Sequence, residues 1–181
     1  SLFDRQWFKR VWVVQELSVC PGAVLMCGRY EISWDRVERA QTLIDQGKTP
    51  GARHRLGRLT AARAGWRERV PRDLLYLVAR HLGTKASDPR DKIYALMGLA
   101  SQPAACAVRI DYSAKIEQVF TAFTLSCLKS NLDILCFARG CRIGSTSATE
   151  STPSWVLDWE YSMACDPSPE ESFSWRPALT G

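Results

Sequence analysis

The run Trp7-Phe8-Lys9-Arg10-Val11-Trp12-Val13-Val14-Gln15-Glu16-Leu17 constrains the fold of this chain more than any other stretch. Seven of its eleven residues are large and apolar, and they recur too densely for a one-sided surface helix. The pattern predicts a deeply buried helix over 5–19, capped by Ser1 or Asp4 and stopped by Pro21-Gly22. Glu16 stands four residues after Trp12, so a helix stacks the two on one face. A carboxylate on such a helix is costly unless it is paired, exposed at a cleft or used chemically. Glu16 is therefore the candidate functional residue. Trp12 reads first as core packing and second as a substrate-stacking indole.

The remaining elements are weaker but orderly. A strand at 23–27 and a second at 30–32, joined by Gly28-Arg29, predict a hairpin whose first strand is buried. Ser33 then caps a helix striped by Trp34, Val37, Ala40 and Leu43/Ile44. Residues 48–72 carry eight cationic side chains against Glu68 alone, a local balance of +7 in a chain whose formal charge is +5. With Thr-Pro-Gly, scattered glycines and little periodicity, 48–70 reads as a basic, solvated, flexible loop. Nucleic-acid contact is the lesser reading, because only Trp66 offers a stacking surface.

Pro71 suits the first turn of a helix lined by Leu74, Leu77/Val78 and Leu82, with His81 at the core edge. Asp88-Pro89 opens another helix through Asp91-Lys92-Ile93-Tyr94. Ion pairs among Arg90, Asp91 and Lys92 would be structural. A short strand at 107–110 leads to Asp111-Tyr112-Ser113. Ser113 caps the clearest amphipathic helix, with Ile116, Val119/Phe120, Phe123 and Cys127/Leu128 inward. A buried strand at 134–138 follows. A Gly/Ser/Thr-rich link at 144–152 precedes Pro153-Ser154-Trp155-Val156-Leu157-Asp158-Trp159, an extended segment pinned to the core by its indoles.

Composition bounds the function classes. At 181 residues the chain holds one sizeable domain or a piece of a larger one. Its 46% hydrophobic and 24% charged residues are ordinary for a globular protein. No apolar run approaches the roughly 18–20 residues that span a bilayer, so no membrane partner is expected. No signal peptide is visible, and the seven cysteines form no Cys-x-x-Cys pair. Both point to a reducing, cytoplasmic setting with free thiols. His54 and His81 lack zinc-finger spacing, so no metal site is expected.

Four blocks occur in order: Trp7-Phe8-x-Arg10-Val11-Trp12-Val13-Val14-Gln15-Glu16, Asp88-Pro89-Arg90-Asp91-Lys92-Ile93-Tyr94-Ala95-Leu96, Asp111-Tyr112-Ser113, and Pro153 through Trp159. Together they resemble the fungal heterokaryon-incompatibility (HET) domain family and the segment after the domain, across residues 1 to about 160. That family usually begins with blocks like Ser-Tyr-x-Trp-Gly and Ile-Asp-Ala-x-Cys-Ile-Asn-Gln. Neither is present, and there is no initiator Met, so the expectation is the C-terminal part of a larger protein.

HET domains are related to Toll/interleukin-receptor-like (TIR-like) domains. The resemblance implies a helix-dominated α/β fold: the C-terminal portion of a TIR-like, flavodoxin-like domain with a β-hairpin and a helical extension. The expected divisions are 1–47 (HET domain part), 48–70 (basic loop), 71–143 (helices with short strands) and 144–181 (link, Trp-rich segment and tail). TIR enzymes carry Trp-Cys-x-x-Glu-Leu on a helix. Here Trp12, Glu16 and Leu17 keep the spacing and Val13 replaces the Cys.

The resemblance thus implies Glu16 as catalytic carboxylate, NAD as substrate and no resident cofactor. The whole protein would act in non-self recognition and programmed cell death. Its partners would be an upstream sensor or incompatibility protein, or further copies of itself. A non-catalytic signalling and assembly module is the alternative. For Glu16 itself the structural reading is a salt bridge to Arg10 or to a residue of the missing part, locking the helix in place. With the first blocks missing, the opening helix should be partly uncovered and this chain should turn over no NAD.

Overall fold

The computed structural model describes residues 2–45, 50–101, 108–130, 132–134, 153, 155–157 and 159. Within them the fold is helix-dominated, with one two-stranded antiparallel sheet. The opening run is not one continuous helix. Two 3-10 turns, Leu2–Asp4 and Gln6–Lys9, precede α1 (Trp12–Val19). Extended backbone at Arg10 separates them, because residues 9–11 pair with another part of the chain. The Val11 N–H donates to the Lys85 carbonyl at 2.9 Å, and the Lys85 N–H donates to that of Lys9.

The hairpin forms as the sequence predicts. Strands β1 (Val24–Cys27) and β2 (Tyr30–Ser33) pair with Val24 opposite Ser33 and Cys27 opposite Tyr30. Gly28 turns the chain at φ 61°, in the left-handed region where a Cβ is disfavoured. The expectation of a buried first strand fails. Val24 and Met26 are exposed while Leu25 and Cys27 are half-buried, since a two-stranded sheet has one face on the core and one toward water.

Helix α2 (Trp34–Asp45) follows directly, and Trp34 and Val37 of its expected stripe are buried. The largest departure from the sequence reading is α3. Residues expected as a flexible basic loop form an eighteen-residue helix, Pro50–Arg67. Leu56, Leu59 and Ala62 are buried on it, and so is Arg63. α3 packs against α1 and α2.

Arg63 explains why a cationic segment folds inward. Its guanidinium has no solvent exposure and donates to the carbonyl oxygens of Leu17 (2.7 Å), Cys20 and Pro21 (3.3 Å). These lie at the C-terminal end of α1, where helical carbonyls lack intrahelical donors and the helix dipole is negative. Asp35 and Glu38 of α2 each approach the same guanidinium at 3.5 Å. Other arginines of the segment are also engaged within the fold. Arg55 pairs with Asp4, Arg58 donates to the Arg80 carbonyl (3.2 Å), and Arg67 donates to Asp35 (3.2 Å) and the Pro21 carbonyl (3.0 Å).

α3 ends in a Schellman turn: the Val70 N–H donates to the Gly65 carbonyl (2.9 Å) and that of Arg69 to Trp66 (3.2 Å). The residue in the left-handed position is Arg69, at φ 54°, where glycine is the usual choice.

Helix α4 (Leu74–Arg80) starts three residues after the expected Pro71. Asp73 is its cap and accepts from the Tyr76 N–H at 2.7 Å. His81 is not at the core edge but inside it. Burial, and next the positive charges of Arg58, Arg80 and Arg72, hold its pKa down at about 3. Helix α5 is Asp91–Met97 and packs on both α1 and α4. The buried Lys92 donates from Nζ to the carbonyls of Leu82 (2.9 Å) and Thr84, in the turn that follows α4.

Helix α6 (Ile116–Ser130) buries Val119, Phe120, Phe123 and Cys127 as predicted. Its approach differs from expectation. Residues 108–110 form no strand, although Val108 is buried. Ser113 donates to the Asp111 carboxylate from both N–H (2.8 Å) and Oγ (2.6 Å) rather than capping α6. Ile134 belongs to a 3-10 turn, Leu132–Ile134, and the rest of the expected strand at 134–138 lies outside the described residues, as does the link at 144–152. Among the described residues Cys20, Cys27 and Cys127 are free thiols, and no helix is long and apolar enough to cross a membrane.

The expectation that the opening helix is partly uncovered holds at its ends, where Trp7 and Val19 are exposed. It fails along α1 itself, where Val13, Val14 and Leu17 are buried, covered by α3 and α5 of the same chain.

Two predictions follow from the buried cations and the buried histidine. Arg63→Ala strands the last carbonyls of α1 and removes the cation beside Glu38, and should destabilise the protein by about 3–5 kcal/mol in denaturant titration. His81 is neutral when folded but protonates on unfolding below its ordinary value of 6.5. The unfolded state therefore binds the extra proton, and stability should fall as pH drops from about 6.5 toward 3. A folded His81→Leu protein should show a shallower acid limb in the same titration.

Candidate functional site

The four sequence blocks come together as one connected framework. The first meets the second through the pairing of 9–11 with Lys85 and through α1 on α5. At that contact Gln15 lies over Gly98, where an added Cβ would sit 3.0 Å from Gln15 Nε2. A side chain at 98 would make Gln15 shift by a few tenths of an ångström.

Arg90 joins the second block to the third. Its guanidinium grips Asp88 with two parallel bonds (Nε to Oδ1 2.9 Å, Nη2 to Oδ2 2.6 Å). Its remaining nitrogen donates to the carbonyls of Tyr112 (2.6 Å) and Ala114 (2.7 Å). This fork holds Asp88 below the usual carboxylate range and raises Arg90. The Tyr112 hydroxyl donates to Asp91 Oδ1 at 2.6 Å, and its ring meets that of Tyr94 edge-on at 5.3 Å. Tyr94 in turn donates its hydroxyl to the Asp111 carbonyl at 3.1 Å. The Ser113 donors hold the exposed Asp111 carboxyl low. The fourth block closes the set: Leu157 and Trp159 are buried, and Trp159 packs on Phe123 of α6 at 5.1 Å. Its Val156 N–H donates to the Pro153 carbonyl (3.0 Å), so it is a turn rather than an extended segment.

Against this framework the two sequence candidates separate. Trp12 is half-buried and packed against the core, consistent with its first reading. Glu16 is exposed on α1. Among the described residues no hydrogen bond or ion pair reaches its carboxylate, and the expected lock to Arg10, also exposed, is not made. Glu16 is thus free to meet something outside the described fold.

A second feature had no counterpart in the sequence reading. A groove of about 430 Å3 opens where the end of α3 meets the turns around Arg72 and Leu99. Trp66, Arg69, Val70, Arg72, Leu99 and Ser101 line it, and neither Trp12 nor Glu16 does. Its walls are tied together: the Arg72 N–H donates to Ser101 Oγ (2.6 Å) and the Ser101 N–H to the Arg72 carbonyl (2.9 Å). The available signal was the spacing of Leu56, Leu59, Arg63 and Trp66, helical once Arg63 is allowed an inward position. Among the described residues no group of three or more His, Cys, Asp or Glu side chains forms a metal-binding cluster.

The chain is similar to heterokaryon incompatibility protein 6, OR allele, of Neurospora crassa: 27% identical over 206 aligned positions, covering 94% of this chain. It spans 30% of that relative's length. No protein-family model and no solved structure matches the chain.

The Tyr112–Asp91 bond carries a pH signature. It stabilises the neutral phenol and, with burial as the second cause, pushes the Tyr112 pKa up to about 12 from 10.0. The folded state therefore keeps a proton that the unfolded state releases, so this contribution is whole below pH 10 and disappears as pH rises through about 12. Urea midpoints measured from pH 8 to 12 should fall more steeply for the native protein than for Tyr112→Phe.

Proposed function

We propose that this chain is part of a heterokaryon-incompatibility effector acting in fungal non-self recognition. The similarity to heterokaryon incompatibility protein 6, which runs through almost the whole chain, carries this reading. It gains support from the four motif blocks, which meet in one framework rather than lying scattered.

Within that role, Glu16 serves a TIR-like NAD-cleaving centre in the whole protein, and the outcome is programmed cell death in the cytoplasm. The free, exposed carboxylate on a helix that buries Val13, Val14 and Leu17 is the observation behind this assignment. Cleaving the bond between nicotinamide and ribose builds positive charge on the sugar, as in glycoside hydrolysis. A carboxylate beside the ribose stabilises that charge and accepts hydrogen bonds from its hydroxyls. Nicotinamide departs as a neutral base, so no general acid is needed. Glu16 can thus act without a second acidic residue and without a resident cofactor.

A second reading also has an observation in its favour. Glu16 stands outside the groove, on an open helix surface, which suits a contact in assembly with a sensor protein or another copy. Nucleic-acid binding through 48–72 remains the lesser reading, since Arg55, Arg58, Arg63 and Arg67 make contacts within the fold.

The two readings part at Glu16→Gln in the full-length protein. The catalytic reading expects NAD consumption in the fungal host to fall by about 10²–10³-fold, with loss of the incompatibility reaction. Normal NAD loss and normal cell death with that variant would eliminate Glu16 as a catalytic residue.

A further inference from the structure

The groove at the end of α3 brings cationic and apolar side chains together. Arg69 and Arg72 both line it, and no carboxylate does. Among the described residues neither guanidinium is paired with an acidic side chain, whereas Arg55, Arg63, Arg67 and Arg90 all are. Arg72 instead donates to the Ala61 carbonyl at 3.1 Å and lies across α3 at Gly65. A Cβ at residue 65 would collide with that guanidinium, so the glycine makes room for a cation at this wall. The opposite character is supplied by Trp66 and Val70, large apolar side chains that are 43% and 44% exposed.

Arg69 adds an independent indication. It occupies the left-handed position of the Schellman turn, at φ 54°, where a side chain is strained and glycine would relieve the strain. An arginine kept in a strained position, beside a cavity and without a carboxylate partner, is where a local rule gives way to a role outside the fold.

We propose that this groove binds a small organic anion, a phosphate or carboxylate carried on an aromatic or apolar body. The guanidinium groups of Arg69 and Arg72 take the anionic head, each presenting donors in a planar fork. The Trp66 indole and Val70 cover the apolar body. At about 430 Å3 the groove lies in the usual range for small-molecule sites. The Arg72–Ser101 backbone clamp holds the two walls at fixed separation before any ligand arrives. This site does not involve Glu16, and it stands or falls apart from the NAD-cleaving reading.

The test is a titration of the full chain followed by the indole N–H resonance of Trp66, assigned with Trp66→Phe. Phenyl phosphate and benzoate are the probes, and the tighter of the two identifies the preferred head group. At least one should shift the Trp66 signal saturably in the micromolar to millimolar range. Inorganic phosphate and benzyl alcohol, which carry only half of the chemistry each, should bind at least about tenfold more weakly. Arg69→Gly should weaken the better probe by about tenfold or more, while raising the thermal midpoint by roughly 2–4 °C as the strain is released. A raised midpoint shows the variant is folded, so its weakened binding is not a loss of structure. The proposal is overturned if neither probe moves Trp66, if inorganic phosphate binds as tightly as phenyl phosphate, or if Arg69→Gly binds with unchanged affinity.

Discussion

A guanidinium with no access to solvent stands where α1, α2 and α3 meet, and the arrangement of those helices depends on it. Burying a charge costs several kcal/mol, and the cost is offset only where geometry supplies enough acceptors. Arg63 finds three carbonyls at the negative end of α1 and the Asp35 carboxylate on α2, with Glu38 at ion-pair distance but accepting no hydrogen bond from it. The same side chain therefore satisfies the unpaired end of one helix and fixes the approach of another. Lys92 makes a similar buried contact just past α4, with the carbonyls of Leu82 and Thr84. At α1 the cation does the work that water does at an exposed helix end, and this allows that short helix to terminate inside the fold.

That use of charge is also why the sequence misled where it did. Elements whose signal is apolar periodicity were legible: the hairpin with its Gly28 turn, the Trp34/Val37 stripe of α2, and α6 with Val119, Phe120, Phe123 and Cys127 inward. α3 was not, because periodicity counts Arg63 as surface and the interruptions at Gly57 and Gly65 suggest a loop. The acceptors that make an inward Arg63 favourable lie more than forty residues away in the chain. No local window contains them. The groove was invisible for the same reason, since its walls come from α3 and from turns some thirty residues later.

The motif blocks bear on Glu16 by contrast. Asp88, Arg90, Asp91, Tyr94, Asp111 and Tyr112 are polar residues of the kind usually suspected of chemistry. All six are spent on one another or on nearby backbone. Their spacing is explained by joining α5 to the turn before α6, and the electrostatic shifts of Asp88, Arg90, Asp111 and Tyr112 follow from those joints. Perturbed titration, often a guide to active sites, here marks structural contacts. Glu16 has the opposite profile: it lies in a motif block yet contributes no contact to the framework.

A residue that the fold does not use is free to change without structural penalty, so its chemistry must be sought in what meets it. α1 is held from three directions: by Arg63 at its C-terminal end, by α5 along its side, and by the Lys85 pairing just before its start. A helix fixed this firmly positions an exposed side chain much better than a loop does, whether the carboxylate meets a sugar or a partner protein. The investment of buried charge around α1 therefore has a consequence at its surface. It makes Glu16 a fixed point on the surface of the described fold.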